Sequence, residues 1–382
     1  MPDFELFVRD ENLERIAQLD KFIKFDAISR DNNVGAFVLD VPYSAANREL
    51  MTLAHGVVFR LDGEEDFSGP ITSITRKYSA DENLISVAGF DDNVWLLRRL
   101  AMPQPSTADP PYSSQTYDSR TGITSTIMKE YVDYNAGPSG LAKRAVPGLV
   151  MAADPGAGTA GTKGRARYHV LLTLLQRLAN KDNLGFRIQQ NGTTLEFLVY
   201  EHEDLTSSII FSDELGSLAS YEYTLSTPGV TYGIAAGGGT GTSRTIIENA
   251  DDAFLATYGR FETFIDARDT TDTDELTDRI TDAIADAGEA ESFMFEPLEL
   301  PNMKYGTDYS LGDKVTAVID EDIFQDAIRE VRRVASVENN KKRLTILPTI
   351  GTETSRNVRA GLPSLYDRLT RLDKRVRDLE RI

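Results

Sequence analysis

The chain has 382 residues, 41% of them hydrophobic and 26% charged, with a net charge of −19 and no cysteine. That length suits two or three folded domains of roughly 100–200 residues each. The absence of cysteine excludes disulfides, thiolate metal sites and cysteine nucleophiles, and the acidic balance argues against nucleic-acid binding by the body. No apolar run approaches the roughly 18 residues that span a bilayer. The acidic start Met1-Pro2-Asp3-Phe4-Glu5 lacks the order of a signal peptide. Folding in a cytosol, without membrane insertion, is therefore expected.

Residues 1 to about 100 read as mostly β. Val34–Val41, Gly56–Leu61, Phe67–Tyr78 and Leu84–Phe90 are apolar and rich in β-branched residues. Asp62-Gly63 is a hairpin turn signal, because both turn positions need a positive φ. A short helix is predicted at Asp91–Leu100, and Pro103, Pro105, Pro110 and Pro111 then mark a boundary.

Residues 101–215 read as an inserted α+β domain. Thr121–Asn135 and Arg167–Asn180 suit helices. Residues 147–164, rich in Gly, Ala and Pro, suit an exposed loop. Phe186-Arg187-Ile188 and Leu195–Tyr200 flank the turn pair Asn191-Gly192. Residues 216–352 return to β with a helical insert near 251–290. Asp272–Ala287 places Leu276, Ile280, Ala283 and Ile284 on one stripe, with Gly288 at the C-cap. Strands are predicted at Ser292–Phe295, Lys314–Ile319, Ala327–Val337 and Arg343–Leu347.

A faint repeat runs through this pattern. Phe67, Ile71, Ile74 and Arg76 are spaced like Phe324, Ile328, Val331 and Arg333. A glycine, a strand and an acidic turn precede each set, at Gly56 to Asp62 and at Gly312 to Asp320. Either these are two copies of one barrel-like unit, or two amphipathic hairpins resemble each other by chance.

Residues 353–382 read as a linker and a parallel coiled coil. Leu362, Leu365, Leu369, Leu372, Val376 and Leu379 alternate by three and four residues, an a/d seam. The g positions Arg368 and Arg375 face the e positions Asp373 and Glu380 of a neighbouring parallel chain. The arginine–glutamate spacing of Arg375 to Glu380 resembles that of trimeric coils. The other reading is an amphipathic helix packed on the chain's own body. Three heptads span only about 31 Å, so the coil assists an assembly whose main contacts lie elsewhere.

Catalytic and metal-binding signals are weak. His55, His169 and His202 lack a partner at i+3 or i+4. Gly237–Arg244 is glycine-rich but lacks the Gly-Lys-Ser/Thr ending of a phosphate loop, and reads as a flexible loop or tight turn. Asp269, Asp272, Asp274 and Glu275 lack calcium-loop spacing and suit a helix start. No catalytic, cofactor or metal residue is assigned.

Several stretches carry a family resemblance. They are Phe4–Asp10 with Leu13–Ile16, Phe67–Ile74, Val87–Asp92 running into Trp95–Arg99, Gly259–Glu262 with Asp269–Asp272, and Tyr305–Asp313. Together they resemble the hub-type tail proteins of long-tailed phages of actinobacteria and similar hosts. That group is similar to the structural domain of tail-associated lysins and to contractile-phage baseplate hubs.

The resemblance implies an α+β, mainly β fold. It comprises two hub-type β-barrel domains (1–100 and 216–352), the inserted α+β domain and the short C-terminal coiled coil. It also implies a virion tail-tip location, with assembly in host cytoplasm. The expected role is a non-enzymatic homotrimer that joins the sixfold tail tube to the threefold tip and gates the channel. Its expected partners are the distal tail protein or tail tube above, tail-tip or fibre proteins below, and the tape measure protein. No cofactor is expected. Some relatives append a hydrolase or long fibre; ending in a short coil, this chain is not expected to carry one. The alternative from another class is a cell-wall hydrolase or glycan-binding adhesin.

Overall fold

The computed structural model describes residues 3–351, except residues 81, 111–113, 269, 289, 299, 301–302, 320–321 and 339–340. Strands dominate the chain, at 46% against 17% helix, so it is mainly β. The chain divides into two compact units. One comprises residues up to Ser220 together with Phe295–Thr349; the other is Tyr221–Met294.

Among the described residues thirteen strands share one hydrogen-bonded network. They are β1 Phe4–Arg9, β2 Arg15–Gln18, β3 Lys24–Arg30, β4 Ala36–Pro42, β5 Gly56–Leu61, β6 Glu64–Tyr78, β7 Asn83–Phe90, β8 Ile210–Ser212, β9 Leu218–Ser226, β10 Ala290–Pro297, β11 Lys314–Ile319, β12 Asp322–Glu338 and β13 Lys341–Gly351. The order is β9-β10-β13-β12-β3-β4-β7-β6-β5-β1-β2, with β11 on β12 and β8 on β11. Among the described residues this is an open path, with no closed barrel.

The faint repeat has a topological counterpart. The order β3-β4-β7-β6-β5 recurs as β9-β10-β13-β12-β11, with the strands in the same chain sequence. Each set ends in a meander around one long strand, 15 residues in β6 and 17 in β12. The outermost additions differ: β1 lies antiparallel on β5, whereas β8 lies parallel on β11. The two sets join where β3 pairs with β12, Phe25 facing Ala335 and Arg30 facing Glu330.

Local chemistry explains the first meander. Asp62 and Gly63 both take positive φ, 49° and 91°, and close the β5–β6 turn with Leu61 facing Glu64. Phe37, Leu39 and Val41 of β4 are buried at every second residue, which turns one strand face inward. They join Phe4, Phe25, Phe59 and Phe67 in an aromatic core, where the Phe25 and Phe59 rings stack at 5.2 Å. β6 carries a bulge between Ile71 and Ser73. A Cβ on Gly89 of β7 would stand 2.1 Å from the Pro70 carbonyl and 2.5 Å from the Phe37 ring, so only glycine fits there.

Between β7 and β8, helices Thr124–Asn135 and Leu171–Lys181 accompany a three-stranded sheet in the order Leu149–Met151, Thr194–Glu201, Leu184–Asn191. Ile127, Met128, Tyr131, Leu174, Leu175 and Leu178 pack in one core with Phe186 and Phe197. Val34, Phe90 and Leu96 belong to the same core.

Several local expectations change here. The first helix starts at Thr124 rather than Thr121, because Asp118–Gly122 pairs with Thr162–Ala166. The second starts at Leu171 rather than Arg167, because His169–Val170 pairs with Leu100–Ala101. The predicted helix at Asp91–Leu100 is a single turn, Val94–Leu97. Residues 147–164 are not simply an exposed loop: they hold a parallel strand and bury Ala157 and Thr162. In the late hairpin Asn191 faces Thr194, so the turn pair is Gly192-Thr193 instead of Asn191-Gly192. Gly192 takes the positive φ, 59°, that a first central glycine supplies.

In the smaller unit, strand Tyr232–Ala236 pairs antiparallel with Ile246–Ala250 and parallel with Glu262–Asp266. Helix Thr273–Asp286 packs Leu276, Ile280 and Ile284 against Ala235 and Ala267. A Cβ on Gly233 would meet Ile280 at 2.3 Å, so the glycine sets how closely helix and sheet approach. The helix ends at Ala287, and Gly288 lacks the left-handed φ expected of a capping glycine.

Candidate functional site

The described residues singled out for chemistry make local contacts. Asp272 caps its helix, accepting from Asp274 N at 2.9 Å and Glu275 N at 3.4 Å; Asp269 lies outside the described residues. Gly237–Arg244 forms a tight turn in which Arg244 Nε donates to the Gly237 carbonyl at 2.9 Å and Nη2 to Asp266 at 2.6 Å. Its cation is engaged within the fold. His55 Nδ1 lies 2.7 Å from the Leu50 carbonyl, and His169 Nδ1 accepts from Arg167 N at 3.1 Å. His202 sits beside Gly312, where a Cβ would stand 2.3 Å from the ring. Among the described residues no group of three His, Asp or Glu could hold a metal ion, and no helix is long and apolar enough to cross a membrane. The coil residues Leu362, Leu365, Arg368, Leu369, Leu372, Asp373, Arg375, Val376, Leu379 and Glu380 all lie outside the described residues.

What the structure does concentrate is charge at the β3–β12 junction. Arg332 donates two hydrogen bonds to Asp26, at 2.8 and 2.7 Å, and Arg30 Nε donates to Glu330 at 2.5 Å. Burial alone would raise the Asp26 pKa, but the bonds from Arg332 and Lys24 overcome it and hold the carboxyl below its usual range. Arg333, 1% exposed, reaches Asp66 on β6, donates to Tyr305 Oη at 2.8 Å and to Ser29 Oγ at 3.0 Å. Burial disfavours its charge, yet Asp66 and Tyr305 hold it above the normal guanidinium range. Arg329 meets the buried Asp31 at 3.1 Å.

A second buried anchor ties β1 to the inserted lobe. Arg9 donates to both Asp92 oxygens, at 2.6 and 2.8 Å, and to Gln190 Oε1 at 2.6 Å. Ser68 Oγ donates to the same carboxylate at 2.6 Å. Apart from Lys24, two residues from Asp26, these partners were not legible in the sequence, since they stand 24 to 306 residues apart. The available signal was an arginine, Arg333, at a position of β12 whose neighbours in phase, Val331 and Ala335, are apolar and buried.

A cleft of about 570 Å³ opens beside this junction. Glu64, Glu65, Asp66, Glu201, Glu203 and Asp313 line it together with Arg187.

The duplicated strand order and its charged junction form a scaffold, and two solved tail proteins share the fold. One is the tail protein from Neisseria meningitidis MC58, with 12% identity, a TM-score of 0.54, and coverage of 92% of this chain and 97% of that one. The other is the 43 kDa tail protein of prophage MuSo2 from Shewanella oneidensis, with 13% identity, a TM-score of 0.52, and coverage of 91% and 98%. No curated protein matches the sequence. The family described as Siphovirus ReqiPepy6 Gp37-like protein matches residues 5–352, and the chain belongs to that family. Its fold is thus one that solved tail proteins also have.

Proposed function

We propose that this protein is a structural component of the virion tail tip. In this reading it is a homotrimeric hub that adapts a sixfold tail tube to a threefold tip and gates the channel. The observation that carries the reading is the strand order repeated within one chain. Three chains then present six equivalent sets, each the counterpart of one barrel of such a hub. The tube or distal tail protein would sit above, the fibres below, and the tape measure protein would pass through. The seam Leu362 to Leu379 would add a parallel three-helix clasp.

Size-exclusion chromatography with light scattering on the full chain tests the stoichiometry. A mass of three chains is expected, and a monomer at high concentration overturns the trimer. Immunogold labelling of virions tests the location: label at the tail tip is expected, and label on the head sinks the assignment. The acid-lined cleft is where a wall hydrolase would place its carboxylates. A zymogram on host cell walls should stay uncleared, and lysis by the purified protein would overturn the non-enzymatic role.

A further inference from the structure

The repeat leaves two matching strand edges open. Within the chain, β3 pairs antiparallel with the second half of β12. In the correspondence between repeats, β3 answers to β9 and β12 to β6. A second version of the junction would therefore set β9 on the second half of β6, and the chain does not make it. Among the described residues β9 ends the strand order with β10 as its neighbour, and from Ser73 onward β6 pairs only with β7.

Hydrogen-bond direction agrees. Ser79 N–H donates to the Glu82 carbonyl at 2.7 Å, on the β7 side. Backbone groups alternate sides along a strand, so Ile74, Arg76 and Tyr78 aim theirs at the open edge. Their counterparts Val331, Arg333 and Ala335 face Ser29, Ala27 and Phe25 of β3. The bond from Asp31 N–H to the Arg329 carbonyl, 2.9 Å, fixes that side as the β3 side.

The open edges also match in side chains. Ile74 and Tyr78 are 40% and 80% exposed; Tyr221 and Leu225 of β9 are 43% and 57% exposed. Exposed apolar edges are templates for strand addition. β6 offers Arg76 and Lys77 where β9 offers Glu222, as Arg332 and Asp26 cross the junction already made.

We propose that β9 of one copy adds antiparallel to the β6 edge of a second copy of this chain. The contact is head-to-tail, so each copy gives one edge and takes another, and a trimer requires that three such contacts close into a ring. The inference rests on the trimeric hub reading and names its interface.

Because the chain has no cysteine, introduced pairs report cleanly. Thr75→Cys is combined in the full chain with a cysteine stepped through positions 219–225. A disulfide-linked multimer is expected at one register and at its second neighbours more weakly. In the wild-type oligomer, amides of Ile74, Arg76 and Tyr78 should gain protection from hydrogen exchange at least tenfold over a dilute monomer. Tyr78→Lys with Leu225→Lys, both at exposed positions, should dissociate the oligomer while circular dichroism stays unchanged. A trimer with no cross-link at any register and no added protection overturns this pairing and leaves the hub reading standing. A chain monomeric under all conditions overturns both.

Discussion

Arg9 and Asp92 form an ion pair with 3% and 0% of their side chains exposed. Removing one partner of such a pair strands a buried charge, which costs about 3–5 kcal/mol. Asp92→Ala should therefore lower the unfolding free energy from urea titration by that amount, with Ser68 and Gln190 unable to replace the lost carboxylate. The adjacent Asp91 behaves differently. Burial raises its pKa to about 8, opposed by the Gly35 backbone and helped by the charge of Asp92. The folded state then holds a proton that the unfolded chain releases near 4. Stability from this group is complete below the unfolded value and is lost as pH climbs toward 8. Asp26, held low, loses its contribution only in acid, below the unfolded carboxylate range. Asp91→Asn should flatten the fall in urea midpoint between pH 5 and 8, whereas an unchanged profile would refute the assignment to Asp91.

At the scale of elements, two glycines of the first meander separate two kinds of constraint. Gly63 has φ 91° and open space around its Cβ position. Gly63→Ala should cost only the left-handed penalty, about 1–2 kcal/mol. Gly89 has an ordinary φ but touches the Pro70 carbonyl and the Phe37 ring. Gly89→Ala should cost about 3 kcal/mol or more through overpacking, and urea titration of the two variants should rank them in that order. The turn at Asp62-Gly63 was legible because positive φ selects residue types locally. The bulge in β6 also left a trace. A regular strand returns to one face every second residue, yet Ile71 and Ile74 are three apart, as are the buried Ile328 and Val331. The paired strands Asp118–Gly122 and Thr162–Ala166 were missed because their composition carries little β signal and their stability comes from each other.

For the whole molecule, the coil and the body are expected to be separable. Replacing Leu369, Leu372 and Val376 by polar residues should weaken the proposed trimer on dilution and leave the circular dichroism of the body unchanged. Global unfolding of that variant would refute the separation. The sequence alone determined what is set within a few residues: the mainly β character, the Asp62-Gly63 turn, the helix stripes and the repeated spacing of Phe67–Arg76 and Phe324–Arg333. These follow from backbone preference and from the period at which apolar side chains recur. Only the tertiary structure decided that Arg333 is buried on Asp66 while its counterpart Arg76 is exposed. The two arginines share a spacing, but β3 covers the edge of β12 and, among the described residues, no strand covers that of β6. Burial, pKa and strand partners depend on which distant segment arrives at an edge, and that is a property of the assembled sheet.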